Sequence, residues 1–272
     1  MNHESMIEAN RRAWNEAMPY HRRGARVDYS DCFKTKGFIV LDPIETPRLR
    51  ALGLAGRRVA QLCCNNGIEL LSILNLGARS GVGFDISDEA IADAKRYAEA
   101  AGSDCAFVRT DVYAIGSNWG KQFDLVYITI GAIAWLPDLT RFFRIASSLL
   151  APGGTLMLYD THPAALMFGM PGDPGFDAGH PLTVMHSYFR TEPWVDENGI
   201  DYIGKTTYKS LPAYNFTRTL TAILNGMLEA GLRIERFEEF DHDISTLFGH
   251  VNVRGLVPLS MFITASTSVN II

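Results

Sequence analysis

The stretch "VAQLCCNNGIEL", residues 59–70, decides the fold, because an apolar run gives way to two cysteines, two asparagines and a glycine before a helix begins. A short apolar run bounded by turn residues is typical of a buried strand. In an open parallel sheet, ligands bind beyond the carboxyl ends of the strands, so the turn after such a strand is the expected binding loop. Three alternative roles follow for residues 63–67, namely a metal site, a redox pair of cysteines or a ligand-binding loop.

The cysteines and histidines give little support to the first two alternatives. The chain has four cysteines, namely Cys32, Cys63, Cys64 and Cys105. They form no C-x-x-C pair, and the adjacent Cys63 and Cys64 are poorly placed to close a bridge, so reduced, buried thiols are expected. His180, His186 and the "DHD" at 241–243 lack the compact spacing of three or four ligands that a metal ion needs. The sequence therefore predicts no metal site and favours a ligand cradle.

The composition bounds the size of the core and the class of partner. With 272 residues, 47% of them hydrophobic, the chain can bury the core of one large domain or of one domain with a lid. The formal net charge of −5 and the lack of a basic block predict no nucleic-acid partner and no membrane partner. No apolar segment reaches the roughly eighteen residues of a membrane span, and the charged N-terminus lacks a signal-peptide core. We therefore expect a cytoplasmic protein.

Short β-rich runs alternate with longer helical stretches, a pattern that predicts a parallel sheet with helices packed against it. The predicted strands lie at residues 57–64, 80–87, 105–112, 122–132 and 155–163, and the predicted helices at 67–78, 87–102 and 136–154. The helix over 87–102 begins with an N-cap serine followed by acidic residues, and the helix over 136–154 is expected to stop at Pro-Gly-Gly.

Residues 163–215 interrupt this alternation with prolines and many aromatic residues, and we predict an inserted cap with short strands, in pieces such as 183–190 and 204–210. Residues 218–243 then give a helix and a strand, and 254–266 one more strand, for seven in all, the last antiparallel. The expected organisation is an N-terminal helical lid (1–45), an α/β core (46–162 and 216–272) and an inserted substrate cap (163–215).

The loop after the first strand lacks the sequence of a dinucleotide-binding turn. A nicotinamide or flavin domain typically has G-x-G-x-x-G here, because glycines let the backbone approach a pyrophosphate. Cys63 and Asn65 replace two of these glycines, although asparagine and Gly67 still tolerate left-handed backbone angles. Asp85 ends the second strand about twenty residues on, where a carboxylate can accept hydrogen bonds from ribose hydroxyls. The loop favours a nucleoside ligand and leaves a nicotinamide oxidoreductase with a degenerate loop as an alternative.

These residues resemble the class I S-adenosylmethionine-dependent methyltransferases, whose first motif commonly reads like "VLDLGCGTG". Here "VAQLCCNNG" is similar in strand, loop length and final glycine. The resemblance continues, over about residues 55–162, through the stretches "GFDIS", "VRTDVY", "FDLVYITIGAIAWLPDL" and "LLAPGGTLMLYDTHP". It implies a Rossmann-like doubly wound α/β fold, a seven-stranded mostly parallel sheet of order 3-2-1-4-5-7-6 with the cap after strand 5, and S-adenosylmethionine as the cofactor.

The resemblance also implies which residues bind that cofactor. The backbone around Cys63, Asn65 and Gly67 would face its methionine part, Asp85 its ribose, Asp111 and Val112 its adenine, and Thr129, Ile130 and Gly131 its sulfonium. Ile86, next to Asp85, is also expected to bind the cofactor. Gln61 stands where the family often has an acidic residue that reaches the amino group of the cofactor. That ammonium must therefore find an amide oxygen, a water molecule or a neighbouring side chain. For Asp111, capping a turn is the simpler role.

The activity that the resemblance implies is methyl transfer to oxygen or nitrogen of a small molecule, for which secondary metabolism is one setting. The loop after the fourth strand lacks the Asn/Asp-Pro-Pro-aromatic tetrad of enzymes that methylate nucleic-acid bases. His162, directly after the fifth strand, is the best-placed base, and its simpler role is to hold the first turn of the cap. His186 and Tyr20 lie in segments that could cover the pocket and exclude water.

Two further alternatives stay open at this point. A protein of this fold can bind the cofactor without transferring a methyl group, as a pericyclic or isomerising catalyst or a ligand-sensing module. The apolar stretch 255–266 could pair two subunits into a homodimer or simply complete the sheet.

Overall fold

The computed structural model describes residues 2–251 and 255–267. Its α-helices are α1 (His3–Gly24), α2 (Tyr29–Cys32), α3 (Glu45–Ala51), α4 (Ile68–Asn75), α5 (Asp88–Ala101), α6 (Leu139–Leu149) and α7 (Leu220–Glu229). Its strands are β1 (Arg58–Leu62), β2 (Ser80–Asp85), β3 (Cys105–Arg109), β4 (Phe123–Thr129), β5 (Leu150–Thr161), β6 (Trp194–Asp196), β7 (Ala213–Asn215), β8 (Leu232–Phe240) and β9 (Ser260–Thr267). Within these residues, no helix is both long and apolar enough to cross a bilayer.

Seven of the strands form one sheet in the order β3-β2-β1-β4-β5-β9-β8. The first five strands are parallel, and β9 lies antiparallel between β5 and β8. The predicted Rossmann-like, doubly wound sheet and its strand order are confirmed, with β8 and β9 as the sixth and seventh strands. Because the order reverses between β1 and β4, the carboxyl ends of these strands border the crevice where such folds bind ligands.

The central strand β1 is buried on both faces, as expected for a strand in the middle of a parallel sheet. Ala60 and Leu62 belong to the cluster that includes residues of α6 and α7. Val59 belongs to the opposite cluster, with residues of α4 and α5. Because side chains alternate between the faces of a strand, Gln61 shares the face of Val59, where α4 begins.

Local sequence signals define helix α5 as predicted. The Ser87 hydroxyl accepts a hydrogen bond from the backbone N–H of Ala90 at 3.1 Å, and Gly102 ends the helix with a φ of +57°. The helix that was predicted to stop at Pro-Gly-Gly (152–154) ends slightly earlier than expected. Helix α6 ends at Leu149, and residues 150–154 belong to β5, because Leu150 pairs with Phe123 of the neighbouring strand.

The segment 163–215 contains two short strands, but not where they were predicted. The antiparallel pair is β6 with β7, whereas 183–190 and 204–210 form no named strand. Local turns hold these two pieces: the N–H of Arg190 donates to the Ser187 carbonyl at 3.2 Å, and Lys205 has a φ of +56°. Of the strand predicted over 254–266, residues from Ser260 form β9, while Arg254 lies outside the described residues.

The ring of Phe107 in β3 packs against two glycines. A Cβ atom at Gly67 would lie 2.3 Å from this ring, and one at Gly83 would lie 2.6 Å from it. Gly67 also has a φ of +73° immediately before α4, a left-handed conformation that favours glycine. The glycine of the first motif is therefore required by the turn and by the packing of Phe107.

Candidate functional site

A cavity of about 730 Å³ lies at the carboxyl ends of β1, β2, β4 and β5. Its lining includes most of the residues predicted to bind the cofactor, namely Gln61, Cys63, Asn65, Asp85, Ile86, Asp111, Val112, Thr129 and Ile130. Gly67 was also predicted to face the ligand, but it is not part of the described lining. Its α-carbon packs on Phe107, and its contact with the ligand stays a prediction.

The loop after β1 has an unusual backbone. Cys63 and Asn65 have φ angles of +55° and +47°, each at a cost of the order of 1–3 kcal/mol. Hydrogen bonds hold the loop in this conformation. The N–H of Cys64 donates to the Phe84 carbonyl at 3.0 Å, and the N–H of Asn66 donates to the Asn65 side chain at 2.7 Å. Such strain is characteristic of ligand-binding loops.

The carboxylate of Asp85 joins this loop to the end of β2. It accepts the N–H of Asn65 and the N–H of Ser87, both at 2.8 Å. Burial raises the pKa of Asp85, and these N–H groups oppose that rise. A carboxylate has about four acceptor positions, so room remains for donors from a ligand. Because Ser87 itself caps α5, Asp85 is not needed as the N-cap.

The loop after β4 is also strained, since Ile130 has a φ of +37° and Gly131 one of +77°. Asp160, which is 1% exposed, accepts hydrogen bonds from the N–H groups of Gly131, Thr161 and Ile133. Burial raises the pKa of Asp160 to about 6, against the effect of these N–H groups. Asp160 therefore holds the loop that was predicted to border the sulfonium. This residue was not predicted from the sequence, although its place at the end of β5 was a usable signal.

Asp111 has the turn-capping role that was considered the simpler one. Its carboxylate accepts the N–H of Tyr113 at 2.9 Å and caps the 3₁₀ turn Val112–Ala114. Asp111 and Tyr113 also line the cavity. Capping fixes the orientation of the carboxylate at the cavity wall and leaves it other acceptor positions for a ligand.

Three acceptor groups on one side of the sheet face the cavity. Gln61 and Thr129 are 2% and 5% exposed, and the Oε1 atom of Gln61 and the Oγ1 atom of Thr129 have no hydrogen-bond partner within the described chain. Glu69, in the first turn of α4, lines the same cavity. Burial raises the pKa of Glu69, and the nearby Gln61 side chain offsets part of this rise. Sequence analysis did not single out Glu69.

Residues of helix α1 and of the segment 163–215, which was predicted to be the cap, also line the cavity. Asn10, Trp14 and His21 of α1 line it, together with Tyr202 of the cap. His21 is 3% exposed, and its Nε2 atom lies 2.7 Å from the carbonyl oxygen of Ile200. Because a carbonyl only accepts, Nε2 carries the proton, and the lone pair of the neutral ring is on Nδ1. Burial lowers the pKa of His21, which favours this neutral form.

The base predicted at His162 does not line the cavity in the described structure. Its Nδ1 atom accepts the N–H of Ala164 at 3.1 Å, and its Nε2 atom lies 3.0 Å from Oε1 of Glu239. The imidazole therefore caps the 3₁₀ turn Pro163–Met167, which is the structural role considered for it. The geometry does not support His162 as a base.

The other two predicted catalytic side chains are also outside the described lining. The His186 ring packs edge-on against Trp194, with ring centroids 4.7 Å apart. The Tyr20 ring stacks on Tyr208 at 4.0 Å. Both side chains stabilise the covering segments by packing, and the histidine that the fold brings to the cavity is His21.

The cysteines of the first loop are free thiols. Burial raises the pKa of Cys63 and of Cys64, which keeps both protonated and unreactive at neutral pH. Within residues 2–251 and 255–267, no group of three or more His, Cys, Asp or Glu side chains is arranged to hold a metal ion.

Part of the chain matches a known protein family. Residues 59–154 match the family model described as "Methyltransferase domain". The match extends from β1 into β5, and together with the order of the seven-stranded sheet it supports the resemblance to the class I S-adenosylmethionine-dependent methyltransferases.

Individual relatives are more distant. The chain is 27% identical over 141 residues to the ubiquinone biosynthesis O-methyltransferase of Psychrobacter cryohalolentis, which covers 50% of this chain and 53% of that protein. It is 28% identical over 179 residues to ribosomal RNA large subunit methyltransferase I of Aeromonas hydrophila. This alignment covers 58% of this chain and 44% of that protein. The chain therefore spans about half the length of these curated relatives.

Among solved structures, an S-adenosylmethionine-dependent methyltransferase from Mesorhizobium loti superposes with a TM-score of 0.61. The sequences are 24% identical, and the superposition covers 82% of this chain and 97% of the other. This likeness establishes a shared fold that extends beyond residues 59–154.

Proposed function

We propose that this protein transfers the methyl group of S-adenosylmethionine to a small-molecule acceptor. One observation carries the proposal: a single cavity brings together the strained loop after β1, Asp85, Asp111 and the loop after β4. These are the positions at which resembling proteins hold the methionine, ribose, adenine and sulfonium parts of that cofactor.

The polar groups of the cavity fit this cofactor. Asp85 and Asp111 offer carboxylate oxygens beyond those used by backbone N–H groups, as ribose hydroxyls and an exocyclic amine require. The orphaned Oε1 of Gln61 and Oγ1 of Thr129 are buried acceptors that call for donors from a ligand. Bound here, S-adenosylmethionine would supply an electrophilic methyl group on a positively charged sulfur.

The chain's own contribution is to bind, orient and exclude water. Methyl transfer is an in-line displacement, so alignment of the acceptor supplies much of the rate. Asp160 fixes the loop of Ile130 and Gly131, and Trp14 and Tyr202 cover the cavity. His21 is the side chain that we propose as the base, because its ring lines the cavity with Nε2 anchored on a backbone carbonyl.

A small acceptor suits the covered cavity better than a nucleic acid. Helix α1 and residues 163–215, which we propose as lid and cap, contribute much of the lining. The net charge of −5 gives no electrostatic attraction for a phosphate backbone. The ubiquinone biosynthesis O-methyltransferases among the relatives support a small molecule, although a ribosomal RNA methyltransferase is also among them.

The test begins with calorimetric titration of the protein with S-adenosylhomocysteine and with NAD. We expect binding of the first ligand only, and at least about tenfold weaker binding by Asp85→Asn, since hydrogen bonds to charged groups contribute about 1.5–3 kcal/mol. Asp104→Asn, an exposed carboxylate outside the described lining, is the control and should bind normally. Binding of NAD alone would overturn the proposal in favour of an oxidoreductase.

The second part of the test concerns transfer itself. The protein is incubated with S-adenosylmethionine carrying a labelled methyl group and a panel of small phenols, alcohols and amines, and label is followed into product. Labelled product supports a transferase. Tight cofactor binding with no product from any acceptor class would favour the alternative of a binding protein or a pericyclic catalyst of the same fold.

A further inference from the structure

Gln61 and Thr129 place two unpartnered acceptors on the same face of neighbouring strands, where both line the cavity. Gln61 of β1 pairs with Tyr127 of β4, and Thr129 lies two residues further along that strand. Because side chains alternate in a strand, Gln61, Tyr127 and Thr129 share one face of the sheet. The Oε1 of Gln61 and the Oγ1 of Thr129 are buried without a hydrogen-bond partner in the described chain. Buried acceptors of this kind call for a donor.

Glu69 adds a negative charge at the same place. It lies in the first turn of α4 and lines the same cavity, and burial raises its pKa, which the nearby Gln61 side chain partly opposes. Of the described residues, no cationic side chain acts on Glu69.

The neighbouring side chains do not supply the missing cation. Tyr127, on the same face, uses its hydroxyl to donate to Glu45. The cationic Arg218 also lines the cavity, but its guanidinium donates to the Leu136 carbonyl and lies over the ring of Phe216. A carboxylate, an amide oxygen and a hydroxyl oxygen therefore line the same cavity as acceptors, and a group with positive charge and several donors would satisfy them.

A primary ammonium group has three N–H donors and one positive charge, so it matches these acceptors. We propose that Glu69, Gln61 and Thr129 form the binding site for the α-ammonium group of the cofactor's amino-acid moiety. Glu69 on α4 thereby replaces the acidic residue that resembling proteins often carry at position 61. This inference rests on the proposed cofactor and adds that the α-amino group is required for tight binding.

The experiment compares two ligands by calorimetry: S-adenosylhomocysteine and its analogue in which hydrogen replaces the α-amino group. We expect the native protein to bind the deaminated analogue at least about tenfold more weakly, as for the loss of a charged hydrogen-bonded group. Glu69→Gln should lose at least about tenfold in affinity for S-adenosylhomocysteine and change little toward the analogue. Equal affinity of the native protein for the two ligands would overturn the inference.

A relocated carboxylate gives a rescue test. In the double variant Gln61→Glu with Glu69→Gln, the carboxylate returns to the strand position while the total charge stays the same. We expect this variant to regain most of the preference for the amino ligand that the single variant loses. If the single variant fails to fold, this double variant and the comparison of ligands on the native protein still decide the question.

The matched control is Glu45→Gln, which neutralises another buried carboxylate outside the described lining. It should leave the ratio of the two affinities unchanged. If Glu45→Gln lost as much preference for S-adenosylhomocysteine over the analogue as Glu69→Gln, general destabilisation would explain the effect. That result would overturn the inference. If the native protein binds neither ligand, the proposed cofactor itself is wrong, which is a separate result from equal binding of both.

Discussion

At the residue scale, His21 is the side chain whose proposed role can be separated most clearly from folding. Its Nε2 proton is held by the Ile200 carbonyl, and burial lowers its pKa. We expect His21→Gln to reduce methyl transfer to a protonated acceptor by roughly 10²–10⁴-fold, the usual contribution of a general base. Affinity for S-adenosylhomocysteine should change only a few-fold, and rate assays with calorimetry measure both.

The control for this prediction is His162→Gln, since that histidine is equally buried but outside the described lining. Its transfer rate per folded molecule should stay near that of the native protein. Because a lowered pKa keeps His21 neutral, the native rate should be flat above about pH 6.5, the ordinary pKa of histidine. If His162→Gln greatly reduced the methyl-transfer rate and His21→Gln did not, His162 and not His21 would be the base.

Asp85, His162 and His21 differ in how far their positions can be predicted from the sequence. Asp85 was predictable because the end of a parallel strand fixes where its side chain lies. His162 also follows a strand, but its ring accepts the N–H of Ala164, a local hydrogen bond that competes with any role in the cavity. His21 comes to the cavity through the docking of a helix some forty residues before β1, and no local pattern encodes that contact.

At the scale of elements, helix α3 begins with a buried acid that should affect stability. Glu45 is 1% exposed and accepts hydrogen bonds from the Tyr127 hydroxyl and the Asp42 N–H. Burial raises the pKa of Glu45 to about 7. As the pH rises from about 4.5 to 7, the unfolded state releases this proton before the folded state does, so folding stability falls.

We expect Glu45→Gln to remove this part of the pH dependence. The free energy of unfolding of the variant, relative to that of the native protein, should rise by about 3 kcal/mol between pH 4.5 and 8, at about 1.4 kcal/mol for each unit of pKa shift. Urea unfolding at several pH values measures the difference. Glu99 is an exposed acid, so Glu99→Gln should show no such trend. If the difference in unfolding free energy between Glu45→Gln and the native protein did not change with pH, the raised pKa of Glu45 would be wrong.

Elements with strong local signals were predictable, and short ones were not. The Ser87 cap and Gly102 define α5 without help from the rest of the molecule. By contrast, β6 and β7 have three residues each, and they pair across the cap rather than through a hairpin turn. Their register depends on α1: the Asn10 side chain bonds both the N–H and the carbonyl of Tyr214 in β7. Sequence alone does not reveal a partner 204 residues away.

At the scale of the whole molecule, α1 connects the α/β core to the cap. On the core side, Arg11 pairs with Asp88 at the start of α5. On the cap side, Asn10 bonds Tyr214, and the Glu16 carboxylate accepts the N–H of Leu211 at 2.8 Å. The alternation of strands and helices predicted the core, but this covering arrangement depends on single polar contacts between distant segments.

We expect Asn10→Ala to loosen the cover, because it leaves the buried N–H and carbonyl of Tyr214 without a partner, at about 1–3 kcal/mol. Hydrogen exchange should become faster in α1 and β7 and stay unchanged in β1 and β4, and S-adenosylhomocysteine should dissociate faster. Asn75→Ala removes a comparable bond to the Phe38 carbonyl away from the cavity and serves as control. Unchanged exchange in α1 would show that Asn10 does not fasten the cover.

The contact of Phe107 with Gly67 and Gly83 restricts which residues related sequences can carry at these three positions. One aromatic ring fills the space of two absent methyl groups, one beside the binding loop and one in β2. In a close-packed interior, an added methyl there can be accommodated only if the ring becomes smaller. Orthologues with alanine at either glycine should therefore have exchanged the phenylalanine for a slimmer residue, so the three positions should covary.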